Sequence, residues 1–315
     1  MKRHKKLIIK TILILVIIFI LLRKIDLEEL FSYLLYADKK MFFFAFVMVC
    51  VMCGILALKW KVLLKSTKFV SLLESVLIGH MLTYSLGGQI VGEGSKIVSL
   101  KKTEENMGTV AASVLVDKIT GFLGVFIVGL AGMLSSKISI SNDYKISYCL
   151  IISGCICLIL GLFNPTALKF FGRLSNRLKR KGGLLGKSGE ILETVLSGIN
   201  QYVHDKRAIL ISIVWGIILQ IVSVVVSFCI CYALGIVIRF QDLCWIMSLV
   251  SVISLVPLSV MGLGINQVST ISLFMLSGVS KELATGYSLV SYFVMIGVAI
   301  LSMILLSVFR FCREV

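Results

Sequence analysis

The stretch GGQIVGEG at residues 87–94 decides how this sequence folds, together with the stretch PLSVMGLG at residues 257–264. Each stretch interrupts an apolar region, and each region is therefore expected to form two short half-helices around a glycine-rich break. The break residues align at one offset of 170 positions, which pairs Gly87 with Pro257, Gly92 with Gly262 and Gly94 with Gly264. This shared register predicts an internal repeat.

The composition of the chain excludes a water-soluble globular protein. Of its 315 residues, 58% are hydrophobic and 15% are charged, whereas a soluble domain has about 45–50% apolar and roughly 25% charged residues. The sequence predicts an all-α polytopic membrane protein with about six full spans plus two re-entrant broken-helix regions, 71–102 and 243–277. The expected full spans cover about residues 7–22, 41–58, 108–134, 146–163, 208–238 and 283–309.

The basic residues orient the chain, since Lys and Arg are enriched in cytoplasmic loops. The net charge is +16, and 23 basic residues fall on the cytoplasmic side, 8 on the other side and Lys118 within a span. This placement predicts a multi-pass protein of the cell membrane with cytoplasmic N- and C-termini. It also assigns the positive charge to loops near anionic lipid rather than to nucleic acid. An alternative, in which both interrupted regions cross fully and a further pass is hidden elsewhere, stays open.

In this topology the two interrupted regions enter the membrane from opposite sides. Together with the shared offset, this predicts an inverted repeat with paired broken helices, which is the arrangement of many transporters. Non-helical backbone at membrane depth is tolerated only where it is buried in protein or lines a water-filled cavity. The breaks are therefore where we expect the binding site.

Polar residues at the breaks suit the binding of an anionic group such as a lipid phosphate. Glycines let the backbone turn, and the N-termini of half-helices present the positive ends of their dipoles. The predicted substrate-binding residues in and beside the breaks are Gly87, Gly88, Gln89, Gly92, Glu93, Gly94, Lys96, Pro257, Gly262, Gly264, Asn266 and Gln267. For Glu93, a capping or loop role near the surface is the alternative.

Asp117 and Lys118 lie in the middle of the apolar run 108–134 and complete the predicted site. Ionisable side chains at this depth usually face a cavity or a partner. Adjacent residues of a helix do not face each other, so we expect one of the two to meet Glu93 or a charge of the substrate. A purely structural buried pair is the alternative. His80 is interpreted as a core or interface histidine.

Residues 166–207 form the long loop of the chain and are predicted to be cytoplasmic, basic and amphipathic. Its basic residues repeat at helical spacing beside apolar ones, which is typical of an interfacial helix; they are Lys169, Arg173, Arg177 and Arg180. A second helix is predicted from Ser188 onward. We interpret the loop as a positive-inside segment on the bilayer, with a dedicated headgroup-docking site as the alternative.

Three motifs resemble those of a known family. GGQIVGEGSKIVSLKK at 87–102 is similar to the family's P-x-x-x-x-G-E segment and its basic stretch, and Asp117-Lys118 occupies the place of an acidic–basic pair. PLSVMGLGINQ at 257–267 is similar to P-x-x-x-x-G-x-G-x-x-E. In this order, the motifs resemble the flippase-like membrane proteins that share the transmembrane region of lysylphosphatidylglycerol synthase. The departures are Gly87 for proline, Lys118 for arginine and Gln267 for the acidic residue.

The resemblance implies a single flippase-like transmembrane domain over residues 1–315. It also implies a protein that moves or accommodates a polar-headgroup lipid, such as aminoacyl-phosphatidylglycerol or a glycolipid. In bifunctional relatives a soluble aminoacyl-transferase domain follows this region. None is expected here, so we do not expect lysyltransferase chemistry from the chain. The amide at Gln267 weakens any mechanism that needs a carboxylate in the second repeat.

Two other functions stay open from the sequence. A membrane-embedded lipid-modifying enzyme is disfavoured, because no paired-aspartate, H-E-x-x-H or G-x-S-x-G motif occurs, and we expect no metal and no cofactor. A membrane partner subunit would dock a separately encoded transferase on the basic loop. The expected partners are anionic phospholipids or glycolipids, with no nucleic acid. Without a nucleotide-binding motif, transport is expected to be facilitated or driven by an ion gradient.

Overall fold

A computed structural model of the chain describes residues 27–100, 107–136, 165–180, 205–254 and 265–314, with short pieces between 146 and 202. Across these residues the fold is all α-helical and contains no β-strand, which confirms the predicted fold class. The helices are α1 Leu27–Tyr36, α2 Lys39–Leu63, α3 Phe69–Leu82, α4 Gly88–Ser99, α5 Met107–Ser135, α6 Pro165–Arg180, α7 Lys206–Ala233, α8 Phe240–Ile253, α9 Ile265–Leu276 and α10 Lys281–Glu314.

Four of these helices, α2, α5, α7 and α10, are long and apolar enough to cross a bilayer. They match the spans predicted near 41–58, 108–134, 208–238 and 283–309. The predicted span at 7–22 lies outside the described residues, and so does most of the span at 146–163. The total of six spans and the cytoplasmic placement of the termini therefore stay predictions.

The first interrupted region folds as a helical hairpin. Helices α3 and α4 have 14 and 12 residues, so at about 1.5 Å per residue each is shorter than the roughly 30 Å hydrocarbon core. A π-helical turn, Thr83–Gly87, ends α3, and Gly88 then reverses the chain with φ +72°. A Cβ atom at Gly92 would lie 1.9 Å from Thr83 Oγ1 and 2.7 Å from Gly79 O. Glycine there lets the two arms of the hairpin touch.

The extent of the first break differs from the prediction. We expected an interruption over 87–94, but the helix resumes at Gly88 and continues to Ser99. The positive φ at one glycine is enough to turn the chain, because this region of backbone space is open to glycine without steric penalty. Gly92 and Gly94 therefore lie inside regular helix, where their backbone groups take part in the helix, and their predicted binding role stays a prediction.

The second interrupted region also consists of two short helices. Helices α8 and α9 have 14 and 12 residues, the same lengths as α3 and α4. They meet beside the break, where Ser254 Oγ donates to Asn266 Oδ1 at 3.0 Å. Residues 255–264 lie outside the described part of the chain, and with them the predicted break residues Pro257, Gly262 and Gly264.

Helices α2 to α5 and α7 to α10 form two repeats of one pattern: a long helix, a short pair and a second long helix. The two leading helices run antiparallel. The N–H of Asp38, before α2, donates to Ala233 O at the end of α7 at 2.9 Å. Lys65, after α2, pairs at 2.6 Å with Asp205, which precedes α7. Equivalent helices thus point in opposite directions, which is the relation that an inverted repeat requires.

Contacts between the repeats follow the same symmetry. Ser248 Oγ on α8 donates to Val125 O on α5 at 2.9 Å. In the corresponding pair of helices, His80 Nε2 on α3 lies 3.4 Å from Met295 O on α10. Val125 and Met295 are 170 positions apart, the offset found in the sequence. Each short helix pair therefore packs against the second long helix of the other repeat.

Helix α6 is the described part of the long loop. Its residues Lys169, Phe170, Arg173, Leu174 and Arg177 are exposed, while Ser175 is buried and donates to Gly189 O at 2.7 Å. The exposed arc combines basic and apolar side chains, as the sequence predicted for an interfacial helix. Most of the second predicted helix, from Ser188 onward, lies outside the described residues.

Candidate functional site

A cavity of about 480 Å³ lies where the two repeats meet. Its walls come from both long helices and both short helices of each repeat, α2 to α5 and α7 to α10. The volume is within the roughly 300–1,000 Å³ of typical small-ligand sites. The described short helices thus enclose a space together with the long helices of both repeats.

One ion pair is fully buried in the wall. Lys59 Nζ on α2 lies 2.9 Å from Asp117 Oδ1 on α5, and the two side chains are only 2% and 8% exposed. Lys59 also donates to the Asp117 carbonyl oxygen. The ammonium group fits beside Gly121, since a Cβ atom there would lie 3.2 Å from Lys59 Nζ. A buried ion pair needs such additional hydrogen bonds to offset its desolvation.

Glu93 bridges two further lysines. Its carboxylate lies 2.9 Å from Lys118 Nζ on α5 and 3.0 Å from Lys96 Nζ one turn along α4. Lys118 remains 34% exposed at the side chain, while Lys96 is 7% exposed. The contact that we expected between Glu93 and the pair Asp117-Lys118 is therefore present. Asp117 and Lys118 are neighbours on one helix, but each pairs with a different helix.

The charged cluster comprises Lys59, Lys96 and Lys118 with Glu93 and Asp117, and carries one more positive than negative charge at neutral pH. Trp60 supports it from α2: Lys96 Nζ lies 5.9 Å from the centre of the Trp60 ring, within the range of a cation–π contact. Trp60 Nε1 in turn donates to Ser113 Oγ at 2.9 Å. The arrangement holds three cations around two carboxylates and leaves a net attraction for an anion.

The wall formed by the second repeat is polar but uncharged. Its described lining residues include Gln220, Ser254, Asn266, Ser288 and Tyr292. None of the described lining residues from α7 to α10 is ionisable except through a tyrosine hydroxyl. The cavity therefore has a charged side and a neutral hydrogen-bonding side.

The short helices α4 and α9 both turn a polar face to the cavity and an apolar face away from it. On α4, Gln89, Glu93 and Lys96 line the cavity, while Ile90, Val91 and Val98 are exposed. On α9, Asn266, Gln267 and Thr270 line the cavity, while Val268 and Met275 are exposed. The spacing follows the roughly 100° per residue of an α-helix, so each helix separates a polar interior from an apolar exterior.

Of the fourteen residues predicted to bind substrate, seven line this cavity: Gln89, Glu93, Lys96, Asp117, Lys118, Asn266 and Gln267. Gly88, Gly92 and Gly94 are not among its lining residues; Gly88 turns the chain and Gly92 lets the two arms of the hairpin touch. Pro257, Gly262 and Gly264 lie outside the described residues. The binding role of the seven stays a prediction.

Sequence reasoning missed Lys59, whereas Lys96 is among the predicted substrate-binding residues. Both lysines are buried, with Lys59 1% exposed and Lys96 5% exposed. Lys59 follows an apolar run and precedes Lys61, Lys65 and Lys68, so it looks like a flanking lysine. The available signal was Asp117, since a carboxylate in mid-span requires a cation on a neighbouring helix. His80, interpreted as a core or interface histidine, lies between α3 and α10 and also lines the cavity.

Comparisons with known proteins cover most of the chain. A family profile described as Lysylphosphatidylglycerol synthase TM region matches residues 7–302. A UPF0104 membrane protein of Pyrococcus horikoshii is 25% identical over 317 aligned positions, which cover 92% of this chain and 91% of that protein. No solved structure matches the chain.

Proposed function

The chain belongs to the lysylphosphatidylglycerol synthase transmembrane-region family, and from this membership we propose that it moves a lipid with an anionic headgroup across the membrane. It is a multi-pass membrane protein of that family. The observation that carries the proposal is the cavity between inverted repeats, with its charged cluster at one side. Inverted repeats around a central polar site are the usual architecture for alternating access.

The short helices supply a path for a molecule with one polar and one apolar end. The headgroup enters the cavity along the polar faces of α4 and α9. The acyl chains stay outside, against exposed apolar residues such as Ile90 and Val268. The headgroup is thereby removed from the hydrocarbon, where an unpaired charge is costly, while the chains remain in it.

The lipid phosphate is expected to bind where the Glu93 carboxylate lies in the structure. There the carboxylate neutralises Lys96 and Lys118. A phosphate that reaches Lys118 competes with Glu93 for the same ammonium protons, and Lys–phosphate hydrogen bonds are charge-assisted. Release of the phosphate restores the Glu93 contact, so neither the empty nor the occupied cavity leaves these lysines without a counter-charge.

The proposal is tested by reconstituting the protein in vesicles and following a fluorescent phosphatidylglycerol from one leaflet to the other. Lys118→Gln removes a cation from the cavity and is expected to slow translocation at least about tenfold, the equivalent of one charged hydrogen bond. The matched control is Lys65→Gln, an exposed lysine outside this cavity that also pairs with a carboxylate. Wild-type rates in Lys118→Gln, Lys96→Gln and Glu93→Gln alike would contradict the proposal.

A further inference from the structure

The two sides of the cavity differ so sharply that they indicate the chemistry of the headgroup. We infer that the headgroup has two parts: a phosphate that binds the charged cluster and an uncharged, hydroxyl-rich group that binds the wall of the second repeat. The inference rests on the proposed lipid translocation and narrows its substrate. Phosphate esters of glycerol or of a sugar have this chemistry, and aminoacyl esters, which carry an ammonium group, do not.

The sequence of the second repeat is also uncharged over long ranges, including residues that the structure does not describe. No Asp, Glu, Lys, Arg or His occurs at 208–238, 243–280 or 283–309. The repeat offset of 170 pairs Asp117 with Tyr287, Lys118 with Ser288 and Lys96 with Asn266. All three replacements line the cavity, so the same positions bind through charge in one repeat and through neutral hydrogen bonds in the other.

The hydrogen bonds of the second wall leave capacity for a ligand. Tyr292 Oη is buried, lines the cavity and has no hydrogen-bond partner among the described residues. The ring is fixed against Tyr84, with centroids 6.2 Å apart. Ser251 donates to a carbonyl oxygen of its own helix, so the lone pairs of its oxygen can accept from ligand hydroxyls. A buried hydroxyl without a partner is costly, and a polyol would satisfy it.

An ammonium group is poorly suited to this wall. Moving a charge out of water is tolerated when a counter-charge is close, and the carboxylates Glu93 and Asp117 are already shared among three lysines. The described lining of the second repeat has no carboxylate that could pair with an ammonium group. A bare phosphate, in contrast, would leave the neutral wall unused.

The test measures how four lipids compete with a tail-labelled phosphatidylglycerol for the purified full-length protein in mixed micelles. Phosphatidylglycerol and phosphatidylinositol are expected to bind more tightly than phosphatidic acid and than lysyl-phosphatidylglycerol, by about threefold to tenfold for each hydrogen bond gained. Stronger binding of phosphatidylinositol would identify a cyclic polyol, the class of hydroxyl-rich ring to which sugars are similar, and stronger binding of phosphatidylglycerol would identify a glycerol. Equal binding of phosphatidic acid, or of lysyl-phosphatidylglycerol, overturns the inference.

Two variants assign the preference to the second wall. Tyr292→Phe removes one hydroxyl and keeps the ring, and it is expected to reduce the preference for phosphatidylglycerol over phosphatidic acid by about threefold to tenfold. Asn266→Asp adds a carboxylate and is expected to improve lysyl-phosphatidylglycerol relative to phosphatidylglycerol about tenfold. The control Tyr148→Phe removes a buried hydroxyl that does not line the cavity.

These results are separable from those of the proposed function. If no anionic lipid binds or crosses the membrane, translocation itself is wrong. If anionic lipids bind and cross but the headgroup order is flat, or unchanged in Tyr292→Phe and Asn266→Asp, only the two-part headgroup is wrong.

Discussion

The first repeat, α2 to α5, and the second repeat, α7 to α10, share their helix order, the lengths of their short helices and their contacts across the interface. They differ in chemistry: the five charged residues among the described lining of the cavity all come from the first repeat. Architecture can stay symmetric because it depends on helix lengths and apolar faces. The proposed function gives a reason for the unequal charge, since a headgroup with one phosphate needs one charged wall.

The difference indicates how a symmetric protein can hold an asymmetric ligand. Opposed repeats give two equivalent ways to open the cavity, one towards each side of the membrane. Under the proposed binding mode, the phosphate stays on the first repeat in both, so the headgroup would not need to turn over within the site. Four predictions test this comparison between the repeats, beginning with the largest effect.

The largest effect is expected at the buried pair that only the first repeat has. Asp117→Asn or Lys59→Met alone leaves one buried charge without its partner, and each is expected to lower the free energy of unfolding by about 3–5 kcal/mol. The double variant removes both charges and is expected to recover most of that loss. Unfolding by SDS titration in mixed micelles measures all three. Single variants as stable as wild type would mean that the pair does not anchor the first repeat.

The next effect compares equivalent helix contacts across the two repeats. A Cβ atom at Gly124 on α5 would lie 2.3 Å from the Gly216 backbone of α7, whereas one at Gly297 on α10 would lie 3.0 Å from the Phe46 ring of α2. Gly124→Ala must move backbone and is expected to cost about 1–3 kcal/mol. Gly297→Ala meets only a side chain that can rotate.

Gly297→Ala is therefore the matched control, with an expected loss within about 1 kcal/mol. The same SDS titration measures both variants. Equal losses would show that the two interfaces are equally tight and that the packing is more symmetric than the structure indicates.

The smallest effect concerns the caps with which both repeats begin. Asp38 accepts from Lys40 N at 2.8 Å before α2, and Asp205 accepts from Ala208 N at 3.1 Å before α7. Asp38→Ala is expected to cost about 0.5–2 kcal/mol, and Asp205→Ala is expected to lower stability in the same direction. Thermal unfolding in detergent measures both.

The Asp205 cap also predicts a pH dependence. The hydrogen bond from Lys65, and then that from the Ala208 backbone, lowers the pKa of Asp205 from its ordinary value of 3.8. Its contribution is therefore full above that value and is lost as the pH falls through the lower folded pKa. The difference in midpoint between wild type and Asp205→Ala should shrink with acidification. A difference that grows on acidification would contradict the assignment.

Much of the fold could be predicted because hydropathy acts along the chain. The spans α2, α5, α7 and α10 follow from apolar runs that need no knowledge of their neighbours. The two breaks follow from clustered glycines, and the repeat follows from their common offset. The extent of the first break could not be predicted, since only the conformation of Gly88 shows that one residue makes the turn.

The site was less predictable because it depends on partners far apart in sequence. Glu93, Asp117 and Lys118 were found from charge at membrane depth, which is rare enough to be informative. Lys59 was not found, because its burial is decided by where α2 lies against α5. The neutral wall was not found either, since serine, tyrosine and amide side chains are common in spans that line nothing.

The sequence by itself determined that this protein is a helical membrane protein with two related, interrupted halves. The reason is that the composition and the periodicity of apolar residues indicate directly whether a segment is surrounded by lipid or by water. Only the tertiary structure decided that those halves close around one cavity, charged on one side and neutral on the other. The physical reason is that an ion pair such as Lys59–Asp117, or an unpartnered hydroxyl such as that of Tyr292, is defined by distances between helices, and a linear sequence does not contain those distances.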